Sequence, residues 1–186
     1  DVFERIEKAY AQKSNVTGVP TGFRDLDSLL SGLQPSDFVV VAARPSMGKT
    51  MFCLNIARNA AILHRVPVVI FSLEMAKEQL AQRLLCLEAG VDGQRLRTGF
   101  LLDSDWPRLS YALGRLSEAP LFVDDTPNIT VMDIRARARR IKAEHDLGLV
   151  VVDYLQLVGS RGRPENRQQE ISEISRSLKA LARELK

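Results

Sequence analysis

Eight consecutive residues carry the densest chemistry in this chain: Ala43, Arg44, Pro45, Ser46, Met47, Gly48, Lys49 and Thr50. Gly-Lys-Thr at the mouth of a helix, reached through a tight turn, is the pattern of a phosphate-binding loop. The first turn of a helix leaves backbone N–H groups unpaired and carries partial positive charge, so a loop wrapped around it cradles phosphate oxygens. Lys49 adds a point charge for the outer phosphates, which makes it a catalytic as well as a binding candidate. The Thr50 hydroxyl is placed to bind the magnesium ion that bridges those phosphates. Gly48 lets the backbone come close. The usual first glycine of the pattern is replaced by Ala43, the smallest substitute. Two carboxylates complete the set. Asp153 closes the apolar run 149–152 and reads either as the strand-end aspartate that holds magnesium beside a phosphate loop or as an ordinary strand-end residue. Glu74 follows a second apolar run and reads either as a general base that polarises an attacking water or as the N-cap of the next helix.

The elements that must position these groups can be read from periodicity. Residues 38–42 form a continuous apolar run, predicting a strand buried on both faces, and a helix is expected over 51–64. Further strands are expected over 66–72, with Pro67 at the start, then over 121–124 and 149–153. Between them fall an amphipathic helix carrying Leu80, Leu84, Leu85 and Leu87, a short helical turn over 92–97 and a helix from Ser104 or Asp105 to Glu118. Asn128 or Thr130 can cap a helix over 131–144, where Asp133 suits a capping box. Upstream, Leu26, Leu29 and Leu30 have helical spacing, and a helix is expected over 1–13; it packs on its own domain or on a neighbour. A last helix places Ile171, Ile174, Leu178, Leu181 and Leu185 on one face, the mark of a core stripe. Apolar strands alternating with helices predict an α/β fold, a mostly parallel sheet with helices on both faces, in which ligands sit at the C-terminal edge of the strands. Glu74, Asp124 and Asp153 all arrive at that edge, and Asp124 and Asp125 read as turn or cap residues.

A chain of 186 residues, 45% hydrophobic and 26% charged, is long enough for one well-buried domain of ordinary composition. No apolar run approaches membrane-spanning length and the first residues have nothing of a signal peptide, so no membrane partner and a cytoplasmic location are expected. Cys53 and Cys86 lack metal-ligand spacing and read as buried reduced thiols. The net charge of +3 permits an anionic partner without requiring one. Residues 159–167 hold Arg161, Arg163 and Arg167 in a glycine-containing loop that could contact a nucleic-acid backbone or be a solvated turn. The basic residues of 131–144 read as a solvated face.

Six stretches together resemble one family closely: P-T-G-F-R-D-L-D (20–27), A-R-P-S-M-G-K-T (43–50), F-S-L-E-M (71–75), D-D-T-P-N-I-T (124–130), V-V-D-Y-L-Q-L (151–157) and E-I-S-R-S-L-K-A-L-A (173–182). The family is the motor domain of the DnaB-type replicative helicases, a branch of the RecA-like phosphate-loop ATPases. The resemblance implies residues 1–17 as a linker helix and link, and 18–186 as the N-terminal portion of a RecA-like ATPase domain. It implies a hexameric ring that uses ATP and magnesium to pull single-stranded DNA through its centre and unwind duplex at a replication fork, with a primase and a helicase loader as partners. By position, residues 43–50 bind nucleotide, Thr50 and Asp153 hold the metal, Glu74 is the catalytic base, and Arg161, Arg163 and Arg167 fall in a pore loop that grips DNA. The family continues past the mid-helix end at Lys186 into a sensor strand and an arginine finger. A piece lacking them is expected to bind nucleotide yet hydrolyse it poorly. The alternative is a RecA-like ring ATPase, autokinase or recombinase relative that does not translocate on DNA.

Overall fold

The computed structural model describes residues 15–159 and 167–186, together with Phe3. The helix expected over 1–13, and Arg161 and Arg163, lie outside the described residues. Among the described residues the sheet has three parallel strands in the order β2-β1-β3: β1 (Val68–Ser72), β2 (Leu121–Asp124) and β3 (Leu149–Asp153). Val68 stands opposite both Leu121 and Leu149, and Ser72 stands opposite Asp153. All five residues of β1 are buried, as a continuous apolar run in a sheet covered on both faces requires.

Side chains alternate across the pleat, so β1 feeds two cores. Val69 and Phe71 pack with Ile134 and Ala138 of one helix and with Ile174, Leu178 and Leu181 of the last. Val68 and Ile70 pack with Leu54, Ala57, Leu80 and Leu84 on the other face. The helices are α1 (Arg24–Leu30), α2 (Lys49–Arg58), α3 (Lys77–Ala89), α4 (Gly93–Thr98), α5 (Asp105–Glu118), α6 (Val131–His145) and α7 (Arg167–Leu185). Thr130 is the cap of α6, and both bonds of the capping box form: the Asp133 N–H donates to Thr130 Oγ1 and the Thr130 N–H to Asp133 Oδ2. The helix expected over 51–64 is α2 continued by a π turn, Asn59–Leu63.

Residues 38–42 do not form the expected strand. Val39, Val40 and Val41 are 52%, 69% and 37% exposed, and the segment has no ladder partner among the described residues. Only Phe38 packs against the core, while an open cleft lies between this run and residues 149–152 of β3. An apolar run favours a buried strand only where a neighbour supplies the ladder and a second layer covers its faces, and here neither is in place. The two cysteines are free and half-buried rather than buried.

α1 owes its position to a carboxylate more than to its leucines. Leu29 and Leu30 are exposed, but buried Asp27 accepts from the Thr21 N–H at 2.8 Å, the Thr21 hydroxyl at 2.7 Å and the Gly22 N–H at 3.0 Å. Asn59 Nδ2, from the π turn, donates to the Thr21 carbonyl at 2.9 Å. Gly22 is at φ +79°, and a Cβ there would stand 2.2 Å from Asn59 Nδ2, so this one glycine is required twice.

The helix that opens with Lys49 is held on its far side by Glu88 of α3, whose side chain is 1% exposed. Arg58 Nε donates to one carboxylate oxygen, and Arg115 Nη1 of α5 lies 2.6 Å from the other. Removing that charge leaves two partly exposed guanidiniums without their shared partner. Glu88→Gln is expected to lower stability by about 1–3 kcal/mol, less than for a fully buried pair because both arginines reach solvent. Thermal unfolding measures it, and an unchanged midpoint would show that the shared carboxylate contributes nothing net.

Candidate nucleotide-binding site

Residues 45–48 form a tight turn in which the Met47 N–H donates to the Arg44 carbonyl at 3.3 Å, and the Gly48 carbonyl accepts from the Phe52 N–H at 2.9 Å as α2 begins. Gly48 has φ +85°, a conformation that costs L side chains about 1–2 kcal/mol. A Cβ at this glycine would meet nothing within 4 Å. Backbone conformation, rather than a close approach within the protein, is what demands glycine here. Ala43, Arg44, Pro45, Ser46, Gly48, Lys49 and Thr50 line a cleft of about 1900 Å³, and Glu74 and Asp153 stand on it as well. Met47 lies outside that lining, with its side chain in solvent.

Lys49, Thr50 and Asp153, 103 positions apart in the case of the last two, meet in space. Lys49 Nζ lies 3.0 Å from Asp153 Oδ1, and the Thr50 hydroxyl donates to Asp153 Oδ2 at 2.7 Å. Both carboxylate oxygens of Asp153 are therefore engaged by the loop, on a side chain only 9% exposed. Lys49 Nζ also lies 4.3 Å from the centroid of the Tyr154 ring, an aromatic neighbour that residue spacing gave no means of pairing with this lysine. Cys53, one turn into α2, is beside the same ion pair; burial pushes its thiol up and the Asp153 charge pushes it further, which keeps it protonated.

Glu74 sits two residues beyond the end of β1, exposed on the rim of the cleft. Its turn is tied down on both sides, by the Leu73 N–H donating to the Asp153 carbonyl at 2.8 Å and by the Ser72 hydroxyl donating to the Met75 carbonyl at 2.6 Å. Helix capping falls to a different acid: Asp125 Oδ2 accepts from the Lys77 N–H at 2.9 Å, at the first turn of α3. Asp124 is likewise structural, accepting from Arg137, from the Thr126 N–H at 3.1 Å and thus from two sides at once. Burial alone would raise its pKa, but the hydrogen bonds from Arg137 and Thr126 outweigh that and hold the carboxyl below its usual range.

The basic residues of α6 are paired rather than simply solvated. Arg135 lies 2.7 Å from Glu184 of α7, Arg139 shares that carboxylate, Arg140 pairs with Glu144 and Lys142 with Asp146. Of the three arginines expected near DNA, Arg167 is described, and its guanidinium donates to Glu170 and to the Gln156 carbonyl. It holds the start of α7 against the 3₁₀ turn Leu155–Leu157 that follows β3.

A family model for the DnaB-like helicase C-terminal domain matches residues 18–186. The chain belongs to that family. It is 55% identical over 184 residues to the replicative DNA helicase DnaB of Geobacillus stearothermophilus, and 52% identical over 184 residues to the replicative DNA helicase DnaC of Bacillus subtilis (strain 168). Each alignment covers 98% of this chain and 40% of the relative, so the chain spans well under half the length of those helicases. Among solved structures, a DnaB-like replicative helicase, solved for its interactions with primase, superposes with a TM-score of 0.90 at 37% identity, covering 99% of this chain and 44% of that one. A separately solved ATPase domain gives 0.91 at 37% identity over 99% of this chain and 65% of that one. The open parallel sheet of this DnaB-like domain is thus the RecA-like ATPase core.

The Asp124–Arg137 pair makes a pH signature. A folded carboxyl held below its unfolded pKa of about 3.9 contributes stability that is fully present above that value and disappears as pH falls through the folded one. Arg137→Met is therefore expected to be less stable than the parent at about pH 7, with the difference shrinking below about pH 4. Urea midpoints at the two pH values check this; a gap that stays constant into acid would show that the charge of Asp124 is not what Arg137 stabilises.

Proposed function

We propose that this chain is the nucleotide-binding part of an ATP-driven motor that translocates on single-stranded DNA and unwinds duplex as a replicative helicase. The observation that carries the reading is the meeting of Lys49 and Thr50 with Asp153 at the C-terminal edge of the sheet, in a chain whose family is the DnaB-like helicase domain. Residues 43–50 hold the phosphates through the N–H groups that open α2. Lys49 leaves Asp153 to meet the outer phosphates, which frees a carboxylate oxygen. Glu74, on the neighbouring strand's end, orients and polarises the attacking water from the rim.

The donor set suits magnesium. Among the described residues no group of three or more His, Cys, Asp or Glu side chains could hold a metal unaided. A hydroxyl and one carboxylate, Thr50 and Asp153, match an ion that arrives with nucleotide phosphates and keeps much of its water. When bound, magnesium neutralises charge on the phosphate oxygens.

The finer assignments rest on the same reading. The full protein forms a hexameric ring, engages a primase and a helicase loader, and passes single-stranded DNA along a surface to which Arg161, Arg163 and Arg167 belong. Among the described residues no helix is long and apolar enough to cross a membrane. The intramolecular ties of Arg167 mean that DNA must compete with Glu170 for this guanidinium.

Steady-state ATP hydrolysis by the chain extended to the length of its relatives, with and without single-stranded DNA, tests the proposal, with Lys49→Ala as the blank. Glu74→Gln is expected to lower hydrolysis by about 100-fold or more while nucleotide binding persists, and DNA is expected to stimulate the parent. Hydrolysis indifferent to DNA would favour a RecA-like ring ATPase that does not translocate, and hydrolysis unaffected by Glu74→Gln would remove Glu74 from the chemistry.

A further inference from the structure

Tyr154 follows Asp153 directly and is half-buried on the wall of the phosphate-loop cleft. Its ring centroid is 4.3 Å from Lys49 Nζ, and that same ammonium is 3.0 Å from Asp153 Oδ1. An ammonium over a phenol face is attracted by the ring's negative face, so Lys49 is held by a ring and a carboxylate together. The second carboxylate oxygen is occupied by the Thr50 hydroxyl at 2.7 Å. In this arrangement the charge of Lys49 is already matched inside the protein, whereas binding phosphate requires it to turn toward the incoming oxygens.

We propose that Tyr154 is a positioning residue for Lys49: with Asp153 it latches the ammonium while no phosphate is present, and nucleotide binding must draw the lysine off both partners. This rests on the reading of residues 43–50 as a phosphate loop. A contact made in the free protein and broken in the complex weakens binding by the Boltzmann factor of that contact. A lysine–aromatic contact with partial solvent access corresponds to roughly two- to fivefold in an equilibrium constant. The tyrosine hydroxyl takes no part, so phenylalanine should serve equally well.

Two measurements on the purified chain test the latch. The first uses no nucleotide: Lys49 is acylated by an amine-selective succinimidyl ester at fixed pH, and its rate is read by peptide mass spectrometry against exposed Lys77 in the same sample. Tyr154→Leu is expected to raise the Lys49 rate roughly two- to fivefold, and Tyr154→Phe to leave it unchanged. The second is equilibrium binding of a fluorescent non-hydrolysable ATP analogue without magnesium, where Tyr154→Leu is expected to tighten binding by a similar factor and Tyr154→Phe to match the parent. If circular dichroism shows Tyr154→Leu to be unfolded, Tyr154→Met replaces it under the same criteria. Unchanged labelling in the ring-less variant, or Tyr154→Phe behaving like Tyr154→Leu, overturns the latch alone. Failure of the parent chain to bind the analogue overturns the phosphate-loop reading and the latch with it.

Discussion

The Asp153 carboxylate is the point on which this molecule converges. It stands at the end of β3 because Ser72 of β1 fixes the register opposite it, and β1 is fixed in turn by two cores that grip its alternate residues. It then receives Lys49 and Thr50 from a helix on one face of the sheet. A one-residue slip of β3 would turn Asp153 to the opposite face and take it away from both Lys49 and Thr50. The buried Glu88, bridging Arg58 and Arg115, secures that helix against α3 and α5. A partly buried polar cluster whose members satisfy one another is rigid, so the strand end and the loop hold each other in place through the protein's own groups.

Much of this was legible because the relevant signals are local. Strands β1, β2 and β3 are short apolar runs with turn residues on either side; β2 and β3 match their expected bounds, while β1 ends as expected at Ser72 but begins at Val68, two residues later than the run 66–72 suggested. Thr130 and Asp133 announced the start of α6, and the stripe of Ile174, Leu178 and Leu181 announced the buried face of α7. The loop 43–50 and Asp153 could be paired in advance because the phosphate-loop pattern specifies a partner at a strand end.

What stayed hidden depends on partners distant in sequence. Asp27 reads as one charge in a leucine-bearing helix, yet three donors from Thr21 and Gly22 make it the anchor of α1. The arginines of α6 look like a solvated face until Glu184, on another helix, is brought beside two of them. Tyr154 could be seen only as one letter of the V-V-D-Y-L-Q-L stretch, and nothing in its spacing pairs it with Lys49, whose ammonium the fold sets 4.3 Å from its ring centroid. The run 38–42 failed in the opposite sense, since its composition is that of a buried strand while its burial depends on a neighbour that it lacks among the described residues.

That same run has a colloidal consequence. Among the described residues β3 is an edge strand, and Val39, Val40 and Val41 present apolar side chains to solvent across the cleft from it. An unpaired strand edge is a template for another chain's backbone, and no proline lies within 149–153 to blunt it. Apolar association strengthens on warming from the cold and under sulfate or phosphate salts, and weakens in urea. The isolated chain therefore belongs in dilute, cool, low-sulfate buffer, where its net charge of +3 is small protection against copies meeting edge to edge.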